Sequence, residues 1–207
     1  MVQDILAARR PTMIVSRDFA MPATSEETHA FAVGLIHSMN SRYSLEREGV
    51  PARVLIALGH SELPQGAVKT LLGIVPLLEQ RGMRVLAAHP WFEILAEGCP
   101  LLELFDMSTQ TLKTVDLVIA RGGLGTISDC VAARVPLLCL DDPNPEIRFN
   151  QARLQDLGIG FPLETILNGN AHLFTNRHAH REICDRMTTL ALRGEIDASE
   201  FLISQWQ

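Results

Sequence analysis

Five short apolar runs, separated by stretches with helical spacing, occupy the middle of the chain. The runs lie at 53–59 (RVLIALG), 83–89 (MRVLAAH), 100–105 (PLLELF), 115–120 (VDLVIA) and 136–140 (PLLCL), and the helical stretches at 68–80, 91–96, 126–133 and 146–156. A strand with one solvent-exposed face alternates apolar and polar residues, whereas runs that are apolar almost throughout are typical of parallel strands covered on both faces. Right-handed crossovers between such strands predict an α/β fold with a doubly wound, Rossmann-like parallel sheet.

The first 50 residues follow a different pattern and are predicted to form an N-terminal extension. Residues 12–15 suit a short strand. Thr24 fits a helix N-cap, and Glu27 three positions later completes a capping box. Apolar residues then recur at helical spacing and predict a helix to about residue 43; they are Phe31, Leu35 and Met39. The extension, residues 1–50, is therefore expected to be a short strand plus a helix.

The remaining residues, 51–207, are assigned to one main domain that ends in a C-terminal helix over 179–192. A chain of 207 residues accommodates one large domain or two small ones, so this boundary depends on the change of pattern near residue 50.

Charge and cysteine usage exclude several classes of protein. The net charge is −6 and no cluster of Lys and Arg occurs, which argues against a nucleic-acid partner. Neither a signal-peptide core nor an apolar stretch of membrane-spanning length is present, so a cytoplasmic protein is expected. The four cysteines form no CxxC pair and are interpreted as buried reduced thiols; they are Cys99, Cys130, Cys139 and Cys184. No metal site is expected, because His172, His178 and His180 have no acidic or cysteine partners at ligand spacing and are interpreted as solvated.

A glycine-rich loop follows the fourth apolar run. Gly122, Gly123 and Gly125 stand directly before a predicted helix, in the sequence RGGLGTISD of residues 121–129. Ligands of such sheets bind beyond the carboxyl ends of the strands, where glycine lets an anion approach the backbone and a helix N-terminus supplies N–H donors. Thr126 and Ser128 would add hydroxyl donors. The pattern favours a phosphate or diphosphate site; the alternative is a tight turn that merely needs small residues.

The two common nucleotide motifs do not fit this loop. The dinucleotide fingerprint GxGxxG follows the first strand of its unit, whereas here Ser128 replaces the third glycine and the loop follows a late strand. The P-loop sequence GxxxxGK[ST] does not occur in the chain.

Several ordered blocks between Val54 and Gly160 resemble the C-terminal, donor-binding domain of GT-B glycosyltransferases. The likeness is greatest to the enzyme that transfers N-acetylglucosamine from UDP-GlcNAc to a lipid-linked muramyl peptide, and looser to other UDP-glycosyltransferases. The blocks are LGHSELPQGA (58–67), similar to the family's GGSxGA loop; LFDM (104–107), similar to FxxDM; VDLVIARGGLGTISD (115–129), similar to ADxVIxRxGxxTxxE; AARVPLLCL (132–140), similar to AAxGxP with its strand; and NQA (150–152), similar to QxxNA.

The resemblance implies a role for each matching position in binding a UDP-sugar. Gly59, His60 and Ser61 would line the diphosphate, and Phe105 and Met107 would belong to the block that holds the base. The phosphates would be enclosed by Arg121, Gly122, Gly123, Gly125 and Thr126. Asp129 falls on the glutamate that binds the ribose hydroxyls, Glu146 falls near the sugar, and Asn150 opens the last matching block. No catalytic residue, metal or cofactor is implied, since the UDP-sugar is the substrate.

This sequence departs from the family pattern at three positions. Asp129 is one methylene shorter than the family's glutamate, Arg134 replaces a glycine, and Ile147 replaces a sugar-contacting glutamine. A GT-B enzyme also has a second domain of similar size, and residues 1–50 are too short to form one.

The expected function is therefore that of a donor-binding domain of a glycosyltransferase. It would transfer a hexose or N-acetylhexosamine together with an acceptor-binding domain or a separate, membrane-associated subunit that could hold it at the membrane. The chain could also be a fragment of a longer protein. The alternative is a stand-alone nucleotide-binding or protein-interaction domain without transferase activity. Formation of homo-oligomers is left open by the sequence.

Overall fold

The structure is a computed structural model that describes residues 13–21, 30–37, 53–59, 63, 66–106, 112–168, 170, 174 and 176–205. The strands, in chain order, are β1 Met13–Ser16, β2 Ala30–Val33, β3 Arg53–Ala57, β4 Arg84–Ala87, β5 Glu103–Leu104, β6 Leu117–Ala120, β7 Leu137–Cys139 and β8 Gly160–Pro162. The helices are α1 Ala67–Gln80, α2 Trp91–Ala96, α3 Leu124–Ala133, α4 Pro145–Asp156, α5 Glu164–Leu167, α6 Arg177–Met187 and α7 Gly194–Ser204.

The chain divides into two compact units. The larger unit comprises residues 38–189, and the smaller one combines residues 1–37 with residues 190–207. The C-terminal helix α7 therefore belongs with the N-terminal strands, whereas the sequence pattern grouped the C-terminus with residues 51–207.

The larger unit contains a parallel sheet in the strand order β5-β4-β3-β6-β7-β8. Renumbered from its first strand, this order is 3-2-1-4-5-6, the doubly wound arrangement of dinucleotide-binding domains. The α/β prediction and the five predicted strands β3 to β7 are confirmed. Helices α1, α2 and α4 lie where the periodicity placed them, and α3 begins at Leu124, two residues before the predicted start.

Burial explains why the strands of this sheet are apolar throughout. All four residues of β6 are buried, as are Val54, Leu55 and Ile56 of β3. Helix α1 covers the sheet with four large apolar residues, each no more than 1% exposed: Leu71, Ile74, Val75 and Leu78. Both faces of the sheet are therefore in the core, as parallel sheets require.

The smaller unit corrects the prediction for the N-terminus. Residues 30–33 form a strand that pairs in parallel with β1, with Met13 opposite Ala30. The predicted helix is therefore wrong in this segment, while Thr24, Glu27 and Met39 lie outside the described residues. The ring of Phe31 stacks on Phe201 of α7 with centroids 4.1 Å apart. This partner lies far along the chain, so local periodicity could not reveal it.

No helix in the part of the chain that the structure describes is both long and apolar enough to cross a membrane.

Candidate functional site

The strand order of the sheet reverses between β3 and β6. The chain leaves β3 toward β4 on one side and leaves β6 toward β7 on the other, so the two following helices lie on opposite faces. Ligands of doubly wound sheets bind in the crevice beyond the carboxyl ends at this point. Gly59 follows β3 at this edge, and the loop of residues 121–123 follows β6.

Two helices start at this edge without a side-chain cap. Gly66 precedes α1, Gly123 precedes α3, and at neither helix does a side chain accept a hydrogen bond from the first turn. The first N–H groups of a helix have no acceptor within the helix and carry the positive end of its dipole. The reversal point therefore has backbone donors suited to an anion on both sides of the sheet.

The three glycines of the loop differ in what the fold requires of them. Gly122 is buried and has φ of +99°, and a Cβ there would lie 3.2 Å from Cγ of Gln151. The turn itself therefore explains Gly122. Gly123 has φ of −67°, and Gly125 lies in the first turn of α3; a Cβ at either position would meet no atom within 4 Å. The fold accommodates a side chain at these two positions, so their glycines keep open space over the N-terminus of α3.

One predicted hydroxyl donor does not face this space. Ser128 is buried, and its Oγ donates to the carbonyl of Leu124 at 2.8 Å, so the prediction that Ser128 serves a ligand is wrong. Serine in a helix often makes this bond to the residue four positions earlier. Thr126 lies in the first turn of α3 and is half-buried.

Two side chains of helix α4 hydrogen-bond to the backbone of the loop. Nδ2 of Asn150 donates to the carbonyl of Gly122 at 3.1 Å, and Nε2 of Gln151 donates to the carbonyls of Arg121 at 2.6 Å and Leu140 at 2.8 Å. The Asn150 side chain is buried, so its observed amide contact is with the loop backbone. These bonds fix the backbone that leads into α3.

A buried ion pair lies beside the loop. Nε of Arg121 donates to Oδ2 of Asp142 at 2.5 Å, and the two side chains are 16% and 1% exposed. The other carboxylate oxygen of Asp142 accepts from the backbone N–H of Asn144 at 2.9 Å. The sequence pattern did not pair Asp142 with Arg121. The position of Asp142 just beyond β7 could have indicated this pair, because β7 lies next to β6 and the two parallel strands end at the same edge of the sheet.

The remaining predicted residues occupy varied environments. Gly59 is exposed with φ of +72°, and its carbonyl accepts from Nε1 of Trp91 at 2.8 Å. Phe105 follows β5 and is buried, so its ring belongs to the core. Asp129 is half-buried on α3, and Glu146 is exposed in the first turn of α4. His60, Ser61 and Met107 lie outside the described residues.

A cavity of about 380 Å³ lies at the carboxyl ends of β7 and β8 and was not predicted. It is lined by Cys139, Asp141, Gln151, Gln155, Pro162 and Glu164. Gln151 thus contributes both to this cavity and to the support of the loop. Burial raises the pKa of the Cys139 thiol to about 12, which keeps that thiol protonated and unreactive at neutral pH.

The described residues contain no cluster of three or more His, Cys, Asp or Glu side chains that could hold a metal ion. His180 is buried, with Nε2 2.9 Å from the carbonyl of Asp116, so its interpretation as a solvated residue is wrong. His178 is exposed and lies 3.2 Å from Glu182. His172 is outside the described part of the chain.

Comparison with known proteins supports the fold. No protein-family model matches the chain, and no curated protein matches it. Solved structures do match: the glycosyltransferase SnogD from Streptomyces nogalater superposes with a TM-score of 0.62 at 18% identity, covering 93% of this chain and 56% of SnogD. SsfS6 from Streptomyces sp. SF2575, in complex with thymidine diphosphate, gives 0.55 at 20% identity, covering 94% and 52%. The spinosyn rhamnosyltransferase SpnG, also with thymidine diphosphate, gives 0.58 at 17% identity, covering 84% and 52%.

The chain thus has the fold of one Rossmann-like half of a GT-B glycosyltransferase, and it spans about half the length of these enzymes. The predicted fold class is confirmed. The closer likeness to the muramyl-peptide enzyme is not confirmed, because the matching structures named here are other glycosyltransferases.

Proposed function

We propose that this chain binds a nucleoside-diphosphate sugar, with UDP as its nucleotide, at the reversal point between β3 and β6. It would serve as the donor-binding part of a glycosyltransferase that transfers a hexose or N-acetylhexosamine. The observation that carries the proposal is the open space over Gly123 and Gly125 at the uncapped N-terminus of α3. Glycines that the fold does not require, at a helix N-terminus and beyond a parallel strand, suit a diphosphate.

The chemistry assigned to the site is stabilisation of the leaving group. Cleavage of the bond between the sugar and the diphosphate leaves negative charge on the nucleotide, and N–H donors aimed at that charge lower the barrier. The backbone at the start of α3 and the guanidinium of Arg121 would supply these donors. Asp129 would accept hydrogen bonds from the two ribose hydroxyls, and Glu146 would lie toward the sugar.

The base is the less constrained part of the nucleotide. Two of the matching structures hold thymidine diphosphate, so a thymidine nucleotide is the competing donor. Uracil and thymine differ by one methyl group, and a contact of that size is worth a factor of about 10 to 200. Thymidine also lacks the ribose 2′-hydroxyl, one of the two hydroxyls assigned to Asp129. UDP and TDP must therefore be compared directly.

The acceptor would be held by a second domain or by a partner subunit. This chain spans 52–56% of SnogD, SsfS6 and SpnG, so about half of each of those enzymes has no counterpart here. An N-terminal acceptor domain, in the same polypeptide or in a membrane-associated subunit, would complete the cleft.

Calorimetric titration with UDP, TDP and uridine tests the proposal. We expect micromolar binding of UDP, weaker binding of TDP, and loss of both in Gly123→Val, whose side chain would enter the open space. Gly73→Ala is the matched control, because Gly73 is an exposed glycine in the middle of α1 and its Cβ would also meet no atom within 4 Å. Binding of TDP without binding of UDP would identify TDP, in place of UDP, as the donor nucleotide.

Well-folded protein that binds neither diphosphate would refute the donor-site proposal. The glycines would then serve the turn and its helix only, and the alternative of a protein-interaction domain would be favoured.

A further inference from the structure

The pair Arg121–Asp142 joins the loop after β6 to the start of α4. One carboxylate oxygen of Asp142 accepts from Nε of Arg121, and the other accepts from the backbone N–H of Asn144. Asn144 is the N-cap of α4, where its own Oδ1 accepts from the N–H groups of Glu146 and Ile147. A continuous series of hydrogen bonds therefore runs from the guanidinium of Arg121 to the first turn of α4.

The backbone of Asp142 is held as firmly as its side chain. Nε of Arg148, one turn into α4, donates to the carbonyl oxygen of Asp142 at 2.9 Å. The side chain itself is 1% exposed. A carboxylate with so little access to water is stable only with a charged partner and further hydrogen bonds, and both are present. Its position is thus set by the fold, and Arg121 is oriented by it.

A contribution to folding stability does not by itself explain the pair Arg121–Asp142. A buried ion pair contributes little net stability compared with apolar side chains of the same volume. The pair does restrict the guanidinium, because its Nε is bonded to a carboxylate that is itself fixed. A long side chain fixed before the ligand arrives loses less conformational entropy when it binds.

We propose that Asp142 is a positioning residue for the nucleotide site: it orients Arg121 at the edge of the space over α3, ready for the diphosphate, and ties that orientation to the start of α4. The inference rests on the proposed donor function. It adds a residue that the family resemblance did not assign. Asp142 would act through Arg121 and would not touch the nucleotide.

A double-mutant cycle with two ligands tests this role. UDP and uridine are titrated into wild type, Asp142→Asn, Arg121→Met and the double variant, and the stability of each is measured by urea unfolding. We expect Asp142→Asn to weaken UDP binding at least about tenfold and to leave uridine binding unchanged, because the effect passes through a phosphate contact. In the Arg121→Met background the same change should alter UDP affinity by less than about twofold.

Asp156→Asn is the matched control. Asp156 lies at the far end of α4 in a surface pair with Arg153, at 3.7 Å, and its side chain is 67% exposed. Its loss should leave the affinity for UDP unchanged. If Asp142→Asn fails to fold, Arg121→Lys carries the test, since lysine keeps the charge but cannot reproduce the planar guanidinium. We expect at least about a tenfold loss there as well, because the bidentate geometry of the guanidinium is lost.

Three results would overturn the positioning role while leaving the donor site intact. These are unchanged or tighter UDP binding in Asp142→Asn, an equal loss for uridine and UDP, and an equal loss in the Arg121→Met background. Wild-type protein that binds neither UDP nor TDP would instead refute the donor site itself, and the inference with it.

Discussion

Gly125→Ala is expected to stabilise the protein and to impair nucleotide binding. Gly125 lies in the first turn of α3, and a Cβ there would meet no atom within 4 Å, so alanine fits without strain. Replacing glycine by alanine in a helix stabilises by about 0.5–1 kcal/mol, largely because the unfolded chain loses conformational freedom. For a protein of this size the melting temperature should rise by about 1–4 °C.

The same methyl group would occupy the space assigned to the diphosphate. We expect the affinity for UDP to fall at least about tenfold, which corresponds to about 1.4 kcal/mol of binding free energy. Gly73→Ala in the middle of α1 should give a comparable stabilisation with no change in UDP binding. The measurements are thermal unfolding by circular dichroism and calorimetric titration on the same preparations.

Gly122→Ala provides the opposite case. Gly122 has φ of +99°, and its Cβ would lie 3.2 Å from Cγ of Gln151, so alanine should destabilise by about 1–2 kcal/mol. A Gly125→Ala protein that is more stable and binds UDP as wild type does would refute the reasoning, because no ligand would then approach α3. A destabilised Gly125→Ala would show that the start of the helix is packed.

Two further predictions concern stability alone. Arg134 ends α3 in the left-handed region, with φ of 55°, where a residue with a Cβ costs about 1–2 kcal/mol. Glycine avoids this cost but loses more backbone entropy on folding. Arg134→Gly should therefore raise the free energy of unfolding by a net of about 0.5–1 kcal/mol. The control is Arg81→Gly at the end of α1, where φ is −87° and no gain is expected; a loss in Arg134→Gly would contradict the strain argument. Burial raises the pKa of the Cys139 thiol from 9.0 to about 12, so the stability that this thiol contributes is complete below pH 9 and is lost as the pH rises toward 12. Between pH 8 and pH 10 wild type should lose about 1.4 kcal/mol more than Cys139→Ala in urea unfolding, and parallel losses would show that the thiol ionises freely in the folded protein.

The sequence predicted the features of the sheet that depend on local pattern. β3 to β7 could be found because each lies in a run that is apolar almost throughout and is bounded by turn signals, and α2 matched its predicted bounds. β8 was missed because Gly160–Pro162 has only three residues, with glycine and proline at its ends. Its strand conformation comes from pairing with β7, where Leu137 lies opposite Gly160, and such pairing is invisible in a local window.

Long-range contacts also explain the other errors. Phe31 has apolar residues at helical spacing after it, yet its segment is a strand because β1 pairs with it and Phe201 packs on its ring. His180 was interpreted as solvated because no acidic or cysteine partner was found at ligand spacing, whereas its partner is the carbonyl of Asp116. In each case the deciding partner is distant in sequence.

The candidate site shows the same division between local and distant causes. The glycine loop could be located from the sequence, because the residue types before α3 and the end of β6 suffice to place it at the ligand-binding edge. The residues that hold the loop could not be found in this way. Asp142 comes close to it because β6 pairs with β7, and Asn150 and Gln151 do so because α4 packs against the loop. The resemblance matched Asn150 by position, but its observed contact supports the loop backbone.

The distribution of charge at the loop points to the backbone as the main attraction for an anion. Arg121 precedes the glycines of the loop, and its charge is opposed by the carboxylate of Asp142, which is bonded to it at 2.5 Å. The pair together therefore carries little net charge. The start of α3 has no opposing side chain at its cap, so its N–H groups and dipole act undiminished. The proposed site would therefore distinguish a diphosphate by the positions of its oxygens more than by its total charge, and the orientation of Arg121 would matter more than its charge alone.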